Sequence, residues 1–364
     1  VRAGAAEPLA GEHAADVVVL GASLAGIAVA RELALRRTRA VVLEPGMIAA
    51  AADSDLGHVR VGLVEPYDRA VDRLGRDAAR GVWELLREGH ERLAETLPTL
   101  GDDCGHRRAG GFRLALDRAA GTRLADSEDR LREDGFSGEF FDRWMLEARF
   151  DVRGFAGAYW AADDGELDAR RLAQCLRSDA ERCGAVFHEA SPVLDLDVSE
   201  RGAEAVTARG RVRAGTAVVT GSSARLVPAL EERLVERSVR RGGLTLPSGA
   251  VVPAPALIVG TTVRWVTADE GLVLEAGATE EEALAARHLP DPAVAGATLW
   301  SGGILETRDG LPLVGRLAEP VLVVSCGHET LGAGSALLAA RWVAEALAGP
   351  DPTPAAFRAD RPLA

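Results

Sequence analysis

The stretch ADVVVLGASLAGIAVARELALRRTRAVVLEPG, residues 15–46, decides the fold. Its first six residues are mostly apolar and β-branched, as in a strand buried on both faces. IAVARELALRR then carries helical periodicity, and AVVLEPG (residues 40–46) is a second buried strand. Between strand and helix, Gly21, Ser23 and Gly26 form G-x-S-x-x-G, a variant of the dinucleotide fingerprint G-x-G-x-x-G. Gly21 permits the tight turn, and Gly26 permits close helix–strand packing. A serine at the middle position requires a negative φ. Ala22, Leu24 and Ala25 complete the turn, and the helix N-terminus aims N–H groups and the positive dipole end at phosphates. Glu44 closes the second strand, where an acid accepts hydrogen bonds from ribose hydroxyls. Strand, glycines, helix, strand and acid in this order point to a bound nucleotide. Spacing alone does not separate FAD from NAD.

Outward from that unit, residues 72–97 read as one long amphipathic helix, residues 110–116 as a strand and residues 119–134 as a charged helix. Residues 166–185 read as a helix closed at Gly184. VFHE, VLDLDV, GRVRAGTAVVTG, ALIVGTTVRWV and LVLEAG read as strands, and residues 335–349 as a last apolar-faced helix. Strands in the middle and βα units at the ends suggest an α/β fold with an antiparallel excursion.

The composition narrows the chemistry. The chain has 364 residues, a net charge of −13 and 27% charged residues, an ordinary globular balance. It contains no lysine and no asparagine, so Schiff-base catalysis, a Walker A loop and N-glycosylation are excluded. The acidic excess argues against nucleic acid as a partner. No apolar run approaches the roughly 20 residues of a membrane helix, and the first residues lack the apolar core of a signal peptide. Four cysteines, Cys104, Cys175, Cys183 and Cys326, lie far apart without a C-x-x-C pair. The expectation is therefore reduced thiols in the cytoplasm, with neither a disulfide framework nor a metal site.

The C-terminal part separates FAD from NAD. WSGGILETRDGLPLVGRL (residues 300–317) precedes VLVVSCGHETLGAGSALLAARWVAEAL (residues 321–347). Thr307, Asp309, Gly310, Pro312, Val314 and Gly315, followed by Gly327, His328 and Gly332, pair with the N-terminal turn. Together these resemble the D-amino-acid oxidase/glycine oxidase/sarcosine oxidase family of FAD flavoenzymes, from about residue 16 to residue 349. The pattern is most similar to amine-type members such as γ-glutamylputrescine oxidoreductase. The resemblance implies a discontinuous Rossmann-like FAD-binding domain with an inserted mixed-sheet substrate domain that roofs the flavin. It implies non-covalent FAD and dehydrogenation of a C–N bond, by hydride transfer to flavin N5, giving an imine. Oxygen or another acceptor then takes the electrons. It places Thr330, Leu331 and Gly332 by the flavin pyrimidine ring, where a glycine-rich turn at a helix N-terminus would stabilise the reduced flavin's anion. Gly327, His328 and Val193 join the cofactor set. A loop across the flavin is expected at residues 51–62, with Ser54, Gly57 and His58.

Catalytic candidates are His58 and His328, since histidine titrates near neutrality. Each also has a structural reading as a packed turn or loop residue. Amino-acid-oxidising relatives carry an arginine for the substrate carboxylate, and alignment puts Ile304 there. Either the substrate lacks a carboxylate or another arginine substitutes. Arg60, Arg264 and Arg308 are the candidates, with Trp300 leading into the flavin-facing segment. The partner is thus a small amine or amino-acid-like molecule, with the oligomeric state open. Alternatives are a specialised nitrogenous substrate of a biosynthetic pathway and a non-catalytic flavin subunit of a larger complex. The expected division is a loose tail at 1–14, a cofactor domain at 15–90, 155–225 and 300–350, a substrate domain at 91–154 and 226–299, and a C-terminal tail at 351–364.

Overall fold

The computed structural model describes residues 5–48, 55–245, 255–261, 263–268, 271–277, 298–317 and 322–362. The chain opens with β1 (Gly11–Leu20), α1 (Leu24–Leu35), β2 (Ala40–Leu43) and β3 (His58–Val59). Helices α2 (Tyr67–Leu74) and α3 (Arg76–Leu100) follow, then β4 (Gly111–Ala115), α4 (Arg118–Glu133), β5 (Gly138–Asp142) and α5 (Arg143–Phe150). Next come β6 (Gly157–Ala161), β7 (Gly165–Glu166), α6 (Ala169–Arg182) and β8 (Val186–His188). Strands β9 (Val193–Ser199), β10 (Gly202–Thr207), β11 (Gly210–Thr220) and β12 (Leu234–Thr245) form the middle. The rest is β13 (Ala256–Ile258), β14 (Arg264–Ala268), β15 (Gly271–Gly277), β16 (Thr298–Thr307), β17 (Leu313–Arg316), β18 (Leu322–Cys326) and α7 (Ala333–Ala348).

One sheet has the order β17-β18-β11-β1-β2-β8, parallel except for β17, with the antiparallel hairpin β9–β10 leaning on β11. Its central strand alternates strictly. Val17 and Val19 face α1, α3, α6 and α7, while Val18 and Leu20 face Ala203, Ala205, Val227 and Leu230. Both faces are covered, which is why β1 reads as an unbroken apolar run. Helices α3 and α7 cross at two glycines. A Cβ on Gly89 would stand 2.7 Å from the Gly334 carbonyl oxygen.

The second sheet has the order β16-β12-β15-β14-β13-β4-β6-β5 and is mixed, with β13 parallel to β4. Its two faces differ in kind. One register row runs Trp160, Phe112, Ala256, Trp265, Leu274, and this side builds an apolar core with Phe141, Leu146 and Phe155. The next row runs Tyr159, Arg113, Leu257, Arg264, Glu275, Arg241. That charged side faces the first sheet's loops.

Several expected boundaries change. Gly75, at φ 84°, divides the long helix of residues 72–97 into α2 and α3. Residues 9–14, expected within a loose tail, are fixed in place. The β1 pairing starts at Gly11, and buried Leu9 donates its N–H to Ser191 Oγ at 2.9 Å. The C-terminal segment is fastened too: Val314 and the buried Phe357 join by a backbone hydrogen bond, and Arg361 pairs with Asp309 at 2.8 Å. Strands β6 and β16 belong to the second sheet, because their register partners are β4, β5 and β12. Helix α3 packs on α7, so residues 91–100, expected in the substrate domain, sit with the first sheet.

Candidate functional site

Gly21 ends β1 at φ 93°, and Ser23 caps α1 at φ −57°, the negative value a serine needs here. A Cβ on Gly26 would sit 2.1 Å from the Gly21 carbonyl oxygen and 2.7 Å from Thr220 Oγ1. The helix therefore lies on the turn as closely as only glycine allows. Thr220 and Gly221, at the end of β11, complete this cradle. Thr220 Oγ1 lies 3.0 Å from the Leu20 carbonyl oxygen and 2.9 Å from that of Gly21. Leu24 and Ala25 are buried in the first turn of α1, where N–H groups lack intrahelical acceptors. Glu44 is buried at the end of β2 and accepts from Ala22 N–H at 2.7 Å and Gly46 N–H at 3.0 Å. Burial pushes its carboxyl above the usual range. Each oxygen keeps a lone pair for a further donor. Ser191 donates its N–H to the Glu44 carbonyl, and Val193 opens β9 two residues later. A glycine cradle, a helix N-terminus and an acid at the second strand end fit the diphosphate and ribose of a dinucleotide.

The second half of the site is the last turn. Gly327 (φ 80°) packs on Thr307, and Gly332 (φ 82°) packs on the His58 backbone, where a Cβ would meet the carbonyl oxygen at 2.3 Å. Leu331 and Gly332 both donate to the His328 carbonyl. Their N–H groups are thus taken within the turn, contrary to the expectation that they face the flavin. Ala333 and Gly334 open α7, and first-turn N–H groups have no intrahelical acceptor. Thr330 lines the main cavity.

His328 takes the packed, structural place that its sequence reading allowed, not a catalytic one. Its ring is buried, with Nε2 3.1 Å from Ser325 Oγ and Nδ1 3.1 Å from Ser335 Oγ. Ser335 donates its own hydrogen to the Gly332 carbonyl at 2.8 Å, so it accepts from Nδ1–H, and Nε2 accepts from Ser325. Burial lowers its pKa to about 3. The ring latches β18 to α7 as a neutral spacer, and both its nitrogens are occupied.

His58 is also buried. It stands 3.5 Å from Asp164, too far for a well-made hydrogen bond, and burial lowers its pKa to about 4. Asp164 accepts from Arg113 at 3.0 Å and from Val61 N–H at 2.8 Å. His58 therefore sits beneath the cavity wall rather than in it. Gly57 (φ 92°) lets the loop pass the Leu167 carbonyl. Ser54 lies outside the described residues.

Between the charged side of the second sheet and residues 60–73 lies a cavity of about 690 Å³. Arg60 and Arg264 line it, with Leu257, Val263, Glu275 and Glu306. Arg60 is 1% exposed, and all three guanidinium nitrogens lack a partner among the described residues. Burial, with Arg264 and Arg113 nearby, lowers its pKa to about 9. Arg264 is different. It donates Nε–H to Glu275 at 2.5 Å and NH2 to the Glu329 carbonyl at 3.2 Å. Glu275 also pairs with Arg241 at 2.7 Å, and Arg241 donates to the Asp55 carbonyl at 3.0 Å. Arg264 is thus part of a clamp from the second sheet onto both cofactor loops. Arg308 is engaged by the Glu232 carbonyl at 2.7 Å. Ile304 is buried opposite Arg237, and Trp300 is opposite Arg241 on β16.

Glu306, Glu329, Asp164 and the Arg241–Glu275 pair escaped the sequence reading. Only the strand-ending glycine in VVTG could have flagged Gly221. The structure also brings Cys104 and Cys175 together with Asp102, their ligand atoms within 4.8 Å of one another. Asp102 already accepts from Cys104 N–H and Arg171.

The chain matches the family described as DAO, FAD dependent oxidoreductase, over residues 16–346. It belongs to that family. FAD is its cofactor, and the cradle just described fits it. Glycine oxidase of Geobacillus kaustophilus is 26% identical, the match covering 87% of this chain and 88% of that one. Gamma-glutamylputrescine oxidoreductase of Escherichia coli is 26% identical over 92% of this chain and 84% of its own. The crystal structure of the Geobacillus kaustophilus glycine oxidase superposes with a TM-score of 0.79 at 21% identity, over 92% of this chain and 95% of that one. The Rossmann-like sheet with a second, mixed sheet above it is the DAO-family architecture. No helix among the described residues is long and apolar enough to cross a membrane.

Proposed function

We propose that this DAO-family chain oxidises the C–N bond of an amine or amino-acid-like substrate that carries an anionic group, and that Arg60 holds this group. The observation that carries this reading is the Arg60 guanidinium, buried in the cavity wall with no partner among the described residues. An unpaired buried cation is costly, and a carboxylate that docks on it in bidentate fashion removes that cost. Arg60 would then do what an arginine at position 304 does in amino-acid-oxidising relatives. Bound FAD supplies a hydride acceptor at N5. The chain's own residues orient the substrate and manage its proton. Arg60 fixes one end, and Leu63, Leu257 and Val263 wall off water. Glu306 Oε1 is buried and unpartnered among the described residues, and burial raises its carboxyl. It is the proposed acceptor for the proton that an ammonium substrate must shed before its C–H can leave as hydride.

The test is anaerobic mixing of holoprotein with amines and N-alkyl amino acids, with and without a carboxylate, following the visible flavin band. Carboxylate-bearing compounds should bleach it. Arg60→Met should raise KM for them by roughly 10–100-fold, the worth of a charged hydrogen-bond pair, and leave carboxylate-free amines unaffected. Equal losses on both classes would assign Arg60 to the cofactor instead. No bleaching by any compound, with the flavin reducible by dithionite, would sink the amine reading.

A further inference from the structure

One group does not fit a plain dinucleotide site. Glu329 follows His328 in the last turn, is 9% exposed, and its Oε2 is buried without a partner among the described residues. Its carboxyl lies beside the cofactor cradle. A Cβ placed on Gly221 would meet Ser23 Oγ at 3.1 Å and Glu329 Oε1 at 3.8 Å. Ser23 caps the helix whose N-terminus receives the diphosphate.

We infer that Glu329 contacts bound FAD as the neutral acid, donating its O–H to a diphosphate oxygen or a ribityl hydroxyl, so that loading the cofactor takes up one proton. The surroundings leave little alternative. Asp55, on the loop after β2, and Glu306, on β16, face it with negative charge. Arg264, on β14, faces it too, but its hydrogen bonds run from Nε to Glu275 and from one terminal nitrogen to the Glu329 backbone carbonyl, not to the Glu329 carboxyl. Cys326, on β18, is a neutral thiol, since burial pushes its pKa up. Burial and the two acids already raise the Glu329 carboxyl to about 7. A diphosphate brought alongside favours the protonated form further. The acid acts as a donor only while it keeps its hydrogen, and the balance is carboxylate plus proton plus FAD giving carboxylic acid and bound FAD.

The sign follows from linkage. The carboxyl's pKa is higher with FAD bound than without it, so affinity is complete below the free protein's value and falls as pH rises through and beyond it. The experiment dilutes holoprotein at a series of pH values from about 6 to about 9 and reads the fluorescence of released FAD at equilibrium. Above about pH 7 the wild-type Kd should rise by up to tenfold per pH unit, the limit for one linked proton. Glu329→Gln, which keeps a donor that cannot ionise, should bind with a pH-independent Kd. The same slope in both proteins, or a flat wild-type profile, would overturn the inference. FAD binding by wild-type apoprotein, measured calorimetrically at about pH 8 in two buffers of different ionisation enthalpy, should show net proton uptake. Zero uptake would overturn the inference without any variant.

Discussion

At the residue scale, the dinucleotide turn and the last turn use opposite devices to hold a backbone near a ligand. Gly26 works by absence. Gly26→Ala would drive a methyl group to within 2.1 Å of the Gly21 carbonyl oxygen, an overpacking that costs about 1–3 kcal/mol. The variant should purify with a lower flavin-to-protein absorbance ratio and a depressed melting temperature. His328 works by a chain of hydrogen bonds. Ser325→Ala would leave Nε2 buried and unmet, a loss of about 1–3 kcal/mol in denaturant titration, while the visible flavin spectrum stays that of the wild type. A spectral change would show that the ring reports directly to the flavin. The turn at residues 21–26 was legible because its meaning is local. The packed place of His328 was open in the sequence, but its partners were not, because they depend on Ser325 and Ser335 meeting one ring from a strand and a helix.

At the element scale, the second sheet was visible as separate strands but not as a two-faced layer. The charged row from Arg113 to Arg241 is assembled from five strands far apart in sequence. No window of sequence contains it. LVLEAG reads as an apolar strand with one stray acid, yet Glu275 holds two guanidiniums that in turn hold the Asp55 and Glu329 carbonyls. Glu275→Gln would leave two buried cations sharing a neutral partner. Breaking a buried ion network in this way costs about 3–5 kcal/mol. The expected result is a large drop in unfolding midpoint together with faster FAD release. A variant that unfolds early but releases FAD at the wild-type rate would show that the clamp does not govern the cofactor loops. The Cys104–Cys175 approach was hidden for the same reason, since the two lie on separate elements.

At the whole-molecule scale, three buried histidines are held neutral. Burial lowers His58 and His90 to about 4 and His328 to about 3. A histidine depressed in the folded state supports folding fully above its unfolded value of about 6.5 and loses that support as pH falls. His90 is informative because its ring can be followed. Nδ1–H donates to the Asp163 carbonyl at 2.8 Å, so Nε2 must accept from His106 Nε2–H, also at 2.8 Å. Protonating His90 sets two donors against each other. Stability measured by urea titration should fall between about pH 6.5 and about pH 4, and His90→Gln should make that fall shallower. An unchanged slope would mean that His90 does not carry this load. The α/β class, the order of the cofactor elements and the two family segments were readable from the chain. The tails and the sheet membership of β6 and β16 were not, because they are set by pairing partners distant in sequence.

The strand order of the first sheet also bears on how the protein is made. Its central strand, β1, is synthesised well ahead of its neighbours: β11, which pairs with it, follows some two hundred residues later, and β18, which pairs with β11, another hundred after that. Domains of this kind close only when their most distant pairings form. The FAD cradle needs Gly21, Gly221 and the turn at residues 327–332 together, so cofactor capture awaits synthesis of that last turn, and until then the nascent β1 exposes an apolar run for chaperones to shield.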